Sequence, residues 1–240
     1  MEQRWLEIQK SLQEKLDLQD GFSVENVTAV GGFDISYVKE SVSDACASFV
    51  VLSFPSLNVL YSDCQPVVMT EPYISGFLAF REVDHLVNLY TTFIEEFQVH
   101  MVEPPQVSLV DGNGILHHHR VGLASHLGIM LQIPTIGVGK SLLYVDGLKK
   151  EEVLKGLEDE KQFQLIGDSG FNYGMALIGS GESSNPIYIS PGHMVSRKTS
   201  CDIALACCRF RVPEPVRQAD LLSREWNRNH RSQQIIRMDK

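Results

Sequence analysis

The sequence predicts a mixed α/β fold in which three antiparallel strands precede alternating helices and parallel strands. Three observations carry that expectation. Residues 27–68 contain three β-rich runs separated by short breaks, and residues 77–97 form a long amphipathic pattern. Short apolar runs at 107–110 and 134–139 then flank a further helical segment. A chain of 240 residues with 43% hydrophobic content can bury a sizeable core.

In order along the chain, residues 1–20 hold an N-terminal helix, clearest over 4–18, whose charged amphipathic character is unlike a signal peptide. Runs 27–38, 44–54 and 58–68 are rich in Val, Phe, Ile and Tyr, with polar or Pro-containing links, which is the pattern of a three-strand meander. Over 77–97, Phe80, Val83, Val87, Tyr90, Phe93, Ile94 and Phe97 recur at helical spacing. The run Val107–Val110 ends at Asp111, a helix covers about 121–131, and "PTIGVG" at 134–139 makes a fifth strand. Short strands follow near 162–166, 173–178 and 187–189, then helices near 196–208 and 215–229. No repeat, low-complexity segment or linker divides the chain. Residues 1–240 therefore count as one domain, with 226–240 a basic tail.

Composition narrows the class. No apolar stretch is long enough to span a membrane. The five cysteines include the adjacent Cys207 and Cys208 but no CxxC spacing, so reduced thiols in a cytoplasmic or nuclear protein are expected, not a secreted disulfide framework. The net charge of -9 argues against a globally basic nucleic-acid surface. It is unevenly spread: residues 197–240 carry ten Lys/Arg and five Asp/Glu, a net of +5, which leaves -14 for residues 1–196. A basic C-terminal fifth permits an acidic partner, although a solvated helix explains the charge alone.

Three carboxylates are misplaced for solvated charges. Asp34 lies inside the strand "AVGGFDISYV", where aspartate is disfavoured. Asp111 ends a strand at the carboxyl edge, where open α/β sheets form their sites. Glu82 shares a helix face with Leu78, Leu86 and Leu89 and so points at or beside the core. Singly, each has a bland explanation: a bulge, an Asp-Gly turn, an Arg pair. Together, two strands and a covering helix bring three acids towards one spot, which needs a cation. All-oxygen ligation selects Mg²⁺ or Mn²⁺, the apparatus of phosphodiester cleavage. Acids from the first strand, first helix and fourth strand give the arrangement of a ribonuclease H-like fold, here a mixed five-stranded sheet flanked by helices.

A longer series of blocks narrows this further: "GGFDISYV" at 31–38, "PYISGFLAFRE" at 72–82, "LVDGNGILHHHRVGLASHLG" at 109–128, "IPTIGVGKSLL" at 133–143, "YISPGHMVS" at 188–196 and "FRVPEPVRQAD" at 210–220. In content and order the series resembles the endonuclease V family, which cuts nucleic acid near deaminated adenine. The resemblance implies that Asp34, Glu82 and Asp111 bind Mg²⁺, with Mn²⁺ able to substitute, against the scissile phosphate and the attacking water. It implies a catalytic role for Lys140, a point charge suited to phosphate. Asp220 stands where bacterial members commonly have histidine, and it resembles a fourth metal-binding position of animal-type members. A helix-surface acid flanked by Arg217 and Arg224 is its simpler explanation.

The resemblance also supplies a substrate site. Tyr73 in "PYISG" resembles the wedge that stacks in the gap left by a displaced base, with Ser75 where bacterial members often carry proline. Gly76, Leu78, Gly112, Gly114 and Leu123 resemble the base pocket, where glycines let backbone amides approach a base edge. His117 resembles a position near the lesion. His118 and His119 carry no evident chemistry, and His126 reads as helix packing. "SPGH" at 190–193, ahead of a helix led by Ser196, offers amides to a phosphate or makes a plain helix entry, and His193 is a substrate-contact candidate. "PTIGVGKS" is not a P-loop, because the first required glycine is Pro134.

The implied function is metal-dependent cleavage of the second phosphodiester bond 3′ to inosine, leaving 3′-hydroxyl and 5′-phosphate ends. Asp220 and the "CC" before "FRVPEPVRQAD" look animal-like, which favours single-stranded RNA as partner over deoxyinosine in DNA, and a monomer with no membrane association is expected. The alternatives are a DNA repair nuclease, an inosine-binding module without cleavage, and a non-specific nuclease of the same fold.

Overall fold

The computed structural model describes residues 1–39, 41–179 and 185–238, with side chains through residue 229. Its eight strands are β1 (Ala29–Tyr37), β2 (Asp44–Ser53), β3 (Val59–Val68), β4 (Val107–Asp111), β5 (Thr135–Gly139), β6 (Gln162–Ile166), β7 (Asn172–Leu177) and β8 (Ile187–His193). The helices are α1 (Glu2–Glu14), α2 (Ala79–Glu95), α3 (Phe97–His100), α4 (Leu123–Leu131), α5 (Lys150–Asp159), α6 (Arg197–Ala206) and α7 (Glu214–Met238). None of the described helices is long and apolar enough to cross a membrane.

One sheet runs in the order β3-β2-β1-β4-β5-β8-β7-β6. The meander β1–β3 is antiparallel, and β4 and β5 run parallel to β1. This is the mixed α/β arrangement expected, with one correction: the sheet has eight strands, not five. β8 pairs antiparallel with β5, and β7 and β6 continue outward from it. The second apolar strand therefore lies inside the sheet, with its hydrogen-bonding groups met on both sides. Local patterns locate the three late strands but say nothing of their partners.

Side-chain alternation divides β1 between two helical layers. Val30 packs with Val216 and Ala219 of α7, together with Ile203 of α6. Phe33 packs with Val83, Leu86 and Tyr90 of α2, and with Leu127 of α4. On the α7 side Gly32 has no room for a side chain: a Cβ there would lie 2.2 Å from the carbonyl oxygen of Pro215. The start of α7 thus rests directly on the β1 backbone. On the other layer α1 packs outside α2 and α4, where Trp5 stacks on Phe80 at 5.0 Å and Leu12 packs with Val121 and Ile129.

Two helices were not expected from the sequence, α3 and α5. For α5 a signal exists: Val153 and Leu157 are one turn apart and buried, behind Glu151 and Glu152 in the first turn. The basic tail at 226–240 is a continuation of α7 to Met238, while Asp239 and Lys240 lie outside the described residues.

Candidate active site

Register places the acids. Phe33 pairs with Val110 across the parallel β1–β4 ladder, so Asp34 and Asp111 stand side by side at its carboxyl end. Val138 of β5 pairs with Asp111, which sets Lys140 just past the same edge. Because α7 is seated on Gly32, its next turns carry Asp220 and Ser223 over this edge. Carboxylate oxygens of Asp34, Asp111 and Asp220 all lie within 4.8 Å of one another.

Short contacts bind the group together. The Lys140 ammonium lies 2.5 Å from Asp111 Oδ2 and 3.2 Å from Asp220 Oδ1, and Arg224 reaches Asp220 at 3.0 Å. Ser223 and Ser36 donate to Asp34 Oδ2 at 2.8 and 3.1 Å. Burial pushes the Asp34 carboxyl up to about 8, reinforced by its hydrogen bond to Asp111 and by the charges of Asp111 and Asp220, while Ser223 opposes the rise. Burial lowers the Lys140 ammonium, but Asp111, then Asp220 and Asp34, outweigh it and raise the group above its ordinary value. Such an all-oxygen set, with the Asp34 carboxyl raised by burial and by its neighbouring carboxylates, fits a hard divalent cation in its donor chemistry.

Glu82 is not in this group. Tyr37 and Glu82 belong to the α2 layer, whereas Asp34 faces α7. The Tyr37 hydroxyl donates to Glu82 Oε1 at 2.6 Å. Burial raises Glu82 to about 7 against the Tyr37 hydrogen bond, and the Asp111 charge adds to the rise. Glu82 therefore approaches the acids around the sheet edge, from the opposite face. Of the four residues expected as metal ligands, the structure gathers Asp34, Asp111 and Asp220, and it turns Glu82 to a tyrosine. Of the two arginines that flank Asp220, Arg224 pairs with it, while Arg217 pairs with Glu214.

Beside the acids lies a cavity of about 180 Å³ lined by six residues expected at the base pocket or wedge, Tyr73, Gly76, Leu78, Gly112, His117 and Leu123. Tyr73 is 69% exposed, an unusual state for a ring beside a cavity. Gly76 holds a φ of +82°, which glycine alone adopts freely. Burial lowers His117 to about 4, aided by His118 and His119 and opposed by a hydrogen bond to the Gly76 backbone. With its Nδ1 accepting from the His119 N–H at 3.3 Å, the neutral ring ties two loops together.

Sequence reasoning missed Gln9, which lines the same cavity from α1 and is 1% exposed. Its amide donates to the Gly76 carbonyl at 3.0 Å, and its Oε1 has no partner. A glutamine amid the buried face of Trp5 and Leu12 was the available signal.

Two expected substrate contacts lie apart from this cavity's lining. Gly114 lies behind the cavity, not on its lining: a Cβ there would lie 2.0 Å from the Pro191 carbonyl oxygen, and its N–H donates to Ser190 Oγ at 2.9 Å. Its glycine serves close packing of a loop on β8. His193 pairs with Thr135, at the start of β5 and so at the edge opposite the acids, where its Nδ1 accepts from the Asp17 N–H at 3.3 Å. Residues 190–193 are strand, and the start of α6 is already capped. Ser196 Oγ accepts from the Thr199 N–H at 3.2 Å, and the Asp20 carboxylate accepts from the Ser196 N–H at 2.7 Å and from Thr199 Oγ1 at 2.8 Å. His126 is buried with its ring edge-on to Phe80 at 5.1 Å, the packing role expected.

Comparison with known proteins identifies the family. The family model for endonuclease V matches residues 10–221. Human endonuclease V is 50% identical over 204 residues, which span 82% of this chain and 70% of the human protein. Mouse endonuclease V is 47% identical over 214 residues, or 86% of this chain but only 62% of the mouse protein. The crystal structure of the catalytic domain of human endonuclease V has a TM-score of 0.91 at 43% identity, covering 96% of this chain and 97% of that one. Endonuclease V of Ciona intestinalis, crystallised with DNA containing an inosine followed by a ribo-adenosine, has a TM-score of 0.88 at 35% identity, covering 94% and 97%.

Proposed function

Since the chain belongs to the endonuclease V family and is thereby a nuclease, we propose that it hydrolyses the second phosphodiester bond 3′ to inosine, preferentially in single-stranded RNA. One observation carries the reading: a lysine and three convergent aspartates adjoin a single-base cavity that has an exposed tyrosine at its mouth.

Asp34, Asp111 and Asp220 would hold Mg²⁺ or Mn²⁺, with Glu82 at the rim as a further acid. A divalent ion there supplies Lewis-acid activation of water and of the phosphate oxygens. Ser223 and Ser36 orient Asp34. Lys140, anchored by Asp111 and Asp220, presents a positive charge where negative charge grows in the transition state. Tyr73 stacks into the space vacated by the displaced base, and Gly76, Leu78, Gly112 and Leu123 enclose the hypoxanthine, with His117 and Gln9 fixing the loop that carries Gly76. Cleavage leaves a 3′-hydroxyl and a 5′-phosphate.

The Ciona complexes, in which a ribo-adenosine follows the inosine, support a 2′-hydroxyl requirement next to the lesion, hence RNA over DNA. Matched RNA and DNA strands, each with inosine or adenosine at one position, test this in Mg²⁺. The inosine RNA should be cut fastest and the adenosine controls left intact. Equal cutting of adenosine would reduce the protein to a non-specific nuclease, faster DNA cleavage would make it a deoxyinosine enzyme, and binding without cutting would make it a reader.

A further inference from the structure

Segment 140–144 separates the base cavity from a second one. Leu143 lines the first, whereas Ser141, Leu142 and Tyr144 line the second, and Lys140 forms its near wall. The second cavity measures about 310 Å³ and holds Lys150 and Arg211 beside Lys140, itself paired with Asp111 and Asp220, with no carboxylate among the described residues of its lining. Three other cavities of the described residues each include an acid: Glu152 and Asp168 in one, Glu71 and Asp84 in another, Asp202 in the third. On a chain with a net charge of -9, a cavity against the lysine of the site whose described lining carries cations and no acid selects for an anion.

The lining is also built for a flat ring. Among the described residues Arg211 is held by neutral acceptors, the carbonyls of Lys140 at 2.8 Å, Pro186 at 3.0 Å and Asn185 at 3.1 Å, bonds that orient its charge without neutralising it. Tyr144 is 62% exposed beside it. An exposed aromatic next to fixed positive charge is the combination that binds single-stranded nucleic acid without reading its sequence.

We propose that this cavity is the subsite for the nucleotide immediately 3′ to the cut bond: Tyr144 stacks on its base, and Lys150 and Arg211 face its phosphates. The inference rests on the nuclease reading above for the position of the cut. It makes the site two-sided, with the lesion held in the first cavity and the leaving strand, which ends in a 5′-phosphate after hydrolysis, held in the second.

The test uses inosine-containing RNA with one, two or four nucleotides beyond the scissile bond, alongside a 5′-phosphorylated tetranucleotide without inosine as a binding probe. For the parent protein, kcat/KM should rise with tail length. Tyr144→Ala and Lys150→Ala should each remove most of that rise through KM, on the order of 10-fold on the longest tail, and weaken tetranucleotide binding in parallel. Lys150→Ala should also make the salt dependence shallower by about 0.7 in slope. Tyr144→Phe, which keeps the ring, should restore the parent behaviour and guards against a folding artefact. The assignment is overturned if the parent is indifferent to tail length or if both alanine variants keep its dependence. Should the parent cut no inosine strand yet bind the tetranucleotide through Tyr144, the nuclease reading fails and takes the placement 3′ to a cut with it, leaving a single-strand-binding cavity; tetranucleotide binding unaffected by either substitution removes the subsite whatever the cleavage result.

Discussion

Asp34→Asn separates the cost of the acid cluster from its use. The substitution keeps the shape of the side chain: an amide oxygen can still accept from Ser223 and Ser36, and the amide nitrogen can donate towards Asp111. What it removes is the ionisation. In the folded protein, burial and then Asp111 hold the Asp34 carboxyl at about 8, against 3.8 ordinarily. A raised carboxyl pKa means that the folded state binds more protons than the unfolded one between those values. Its stability contribution is therefore full below pH 3.8 and is lost as pH rises through about 8. Going from pH 5 to pH 8 in chelator, the parent should lose about 3–4 kcal/mol through this group alone. In a domain of this size that is about 10 °C of melting temperature. Asp34→Asn should lose none of it, so the variant gains on the parent as pH rises while its cleavage is abolished. Excess Mg²⁺ at pH 8 should restore the parent and leave the variant unmoved. Thermal unfolding of both proteins at the two pH values, with and without Mg²⁺, reads all of this. A parent–variant difference that is the same at pH 5 and pH 8 would refute the claim that buried, repelling carboxylates dominate this edge.

Three other outcomes are expected. Gly32→Ala places a Cβ 2.2 Å from the Pro215 carbonyl oxygen, so α7 must shift; a loss of about 1–3 kcal/mol in denaturant unfolding should come with lost cleavage as Asp220 and Ser223 move away. Tyr73→Ala should leave the melting temperature unchanged, because the ring is exposed, yet raise KM for inosine RNA on the order of 10-fold. Gln9→Leu removes a buried unpartnered oxygen along with the hydrogen bond to Gly76, so stability should move by less than about 1 kcal/mol while KM rises; unchanged KM would show that α1 has no part in holding the base loop.

The individual acids were legible for local reasons. An aspartate inside a strand, another at a strand's carboxyl end and a glutamate on an apolar helix face each violate a local preference, and each is buried or half-buried in the fold. Their grouping was not legible in the same way. Side-chain parity along β1 assigns Asp34 and Tyr37 to opposite faces, which places Glu82 with Tyr37 and not with Asp34. That assignment needs the layer in which α2 packs, a non-local fact. Asp220 depends on a longer chain of causes: its helix reaches the cluster only because Gly32 lets the α7 backbone touch β1, 183 residues away in sequence from Pro215.

Gly114 and His193 lie off the cavity lining by the same route in reverse. Both sit in blocks that match a family motif, and adjacency within a block suggested adjacency to the substrate. Gly114 follows Asp111 by three residues, yet its small size answers the carbonyl of Pro191, a strand away. His193 closes β8, and because β8 runs antiparallel to β5, its end lies at the edge where β5 begins. A motif fixes which residues travel together, and strand direction decides which of them arrive at the site. The same logic explains why Lys140 was the safer expectation: it follows a strand parallel to β1 and β4, so it must emerge on the edge that carries Asp34 and Asp111. Residues after β5 inherit that edge as well, which is why the segment that leaves it, through Ser141 to Tyr144, forms the wall between the two cavities.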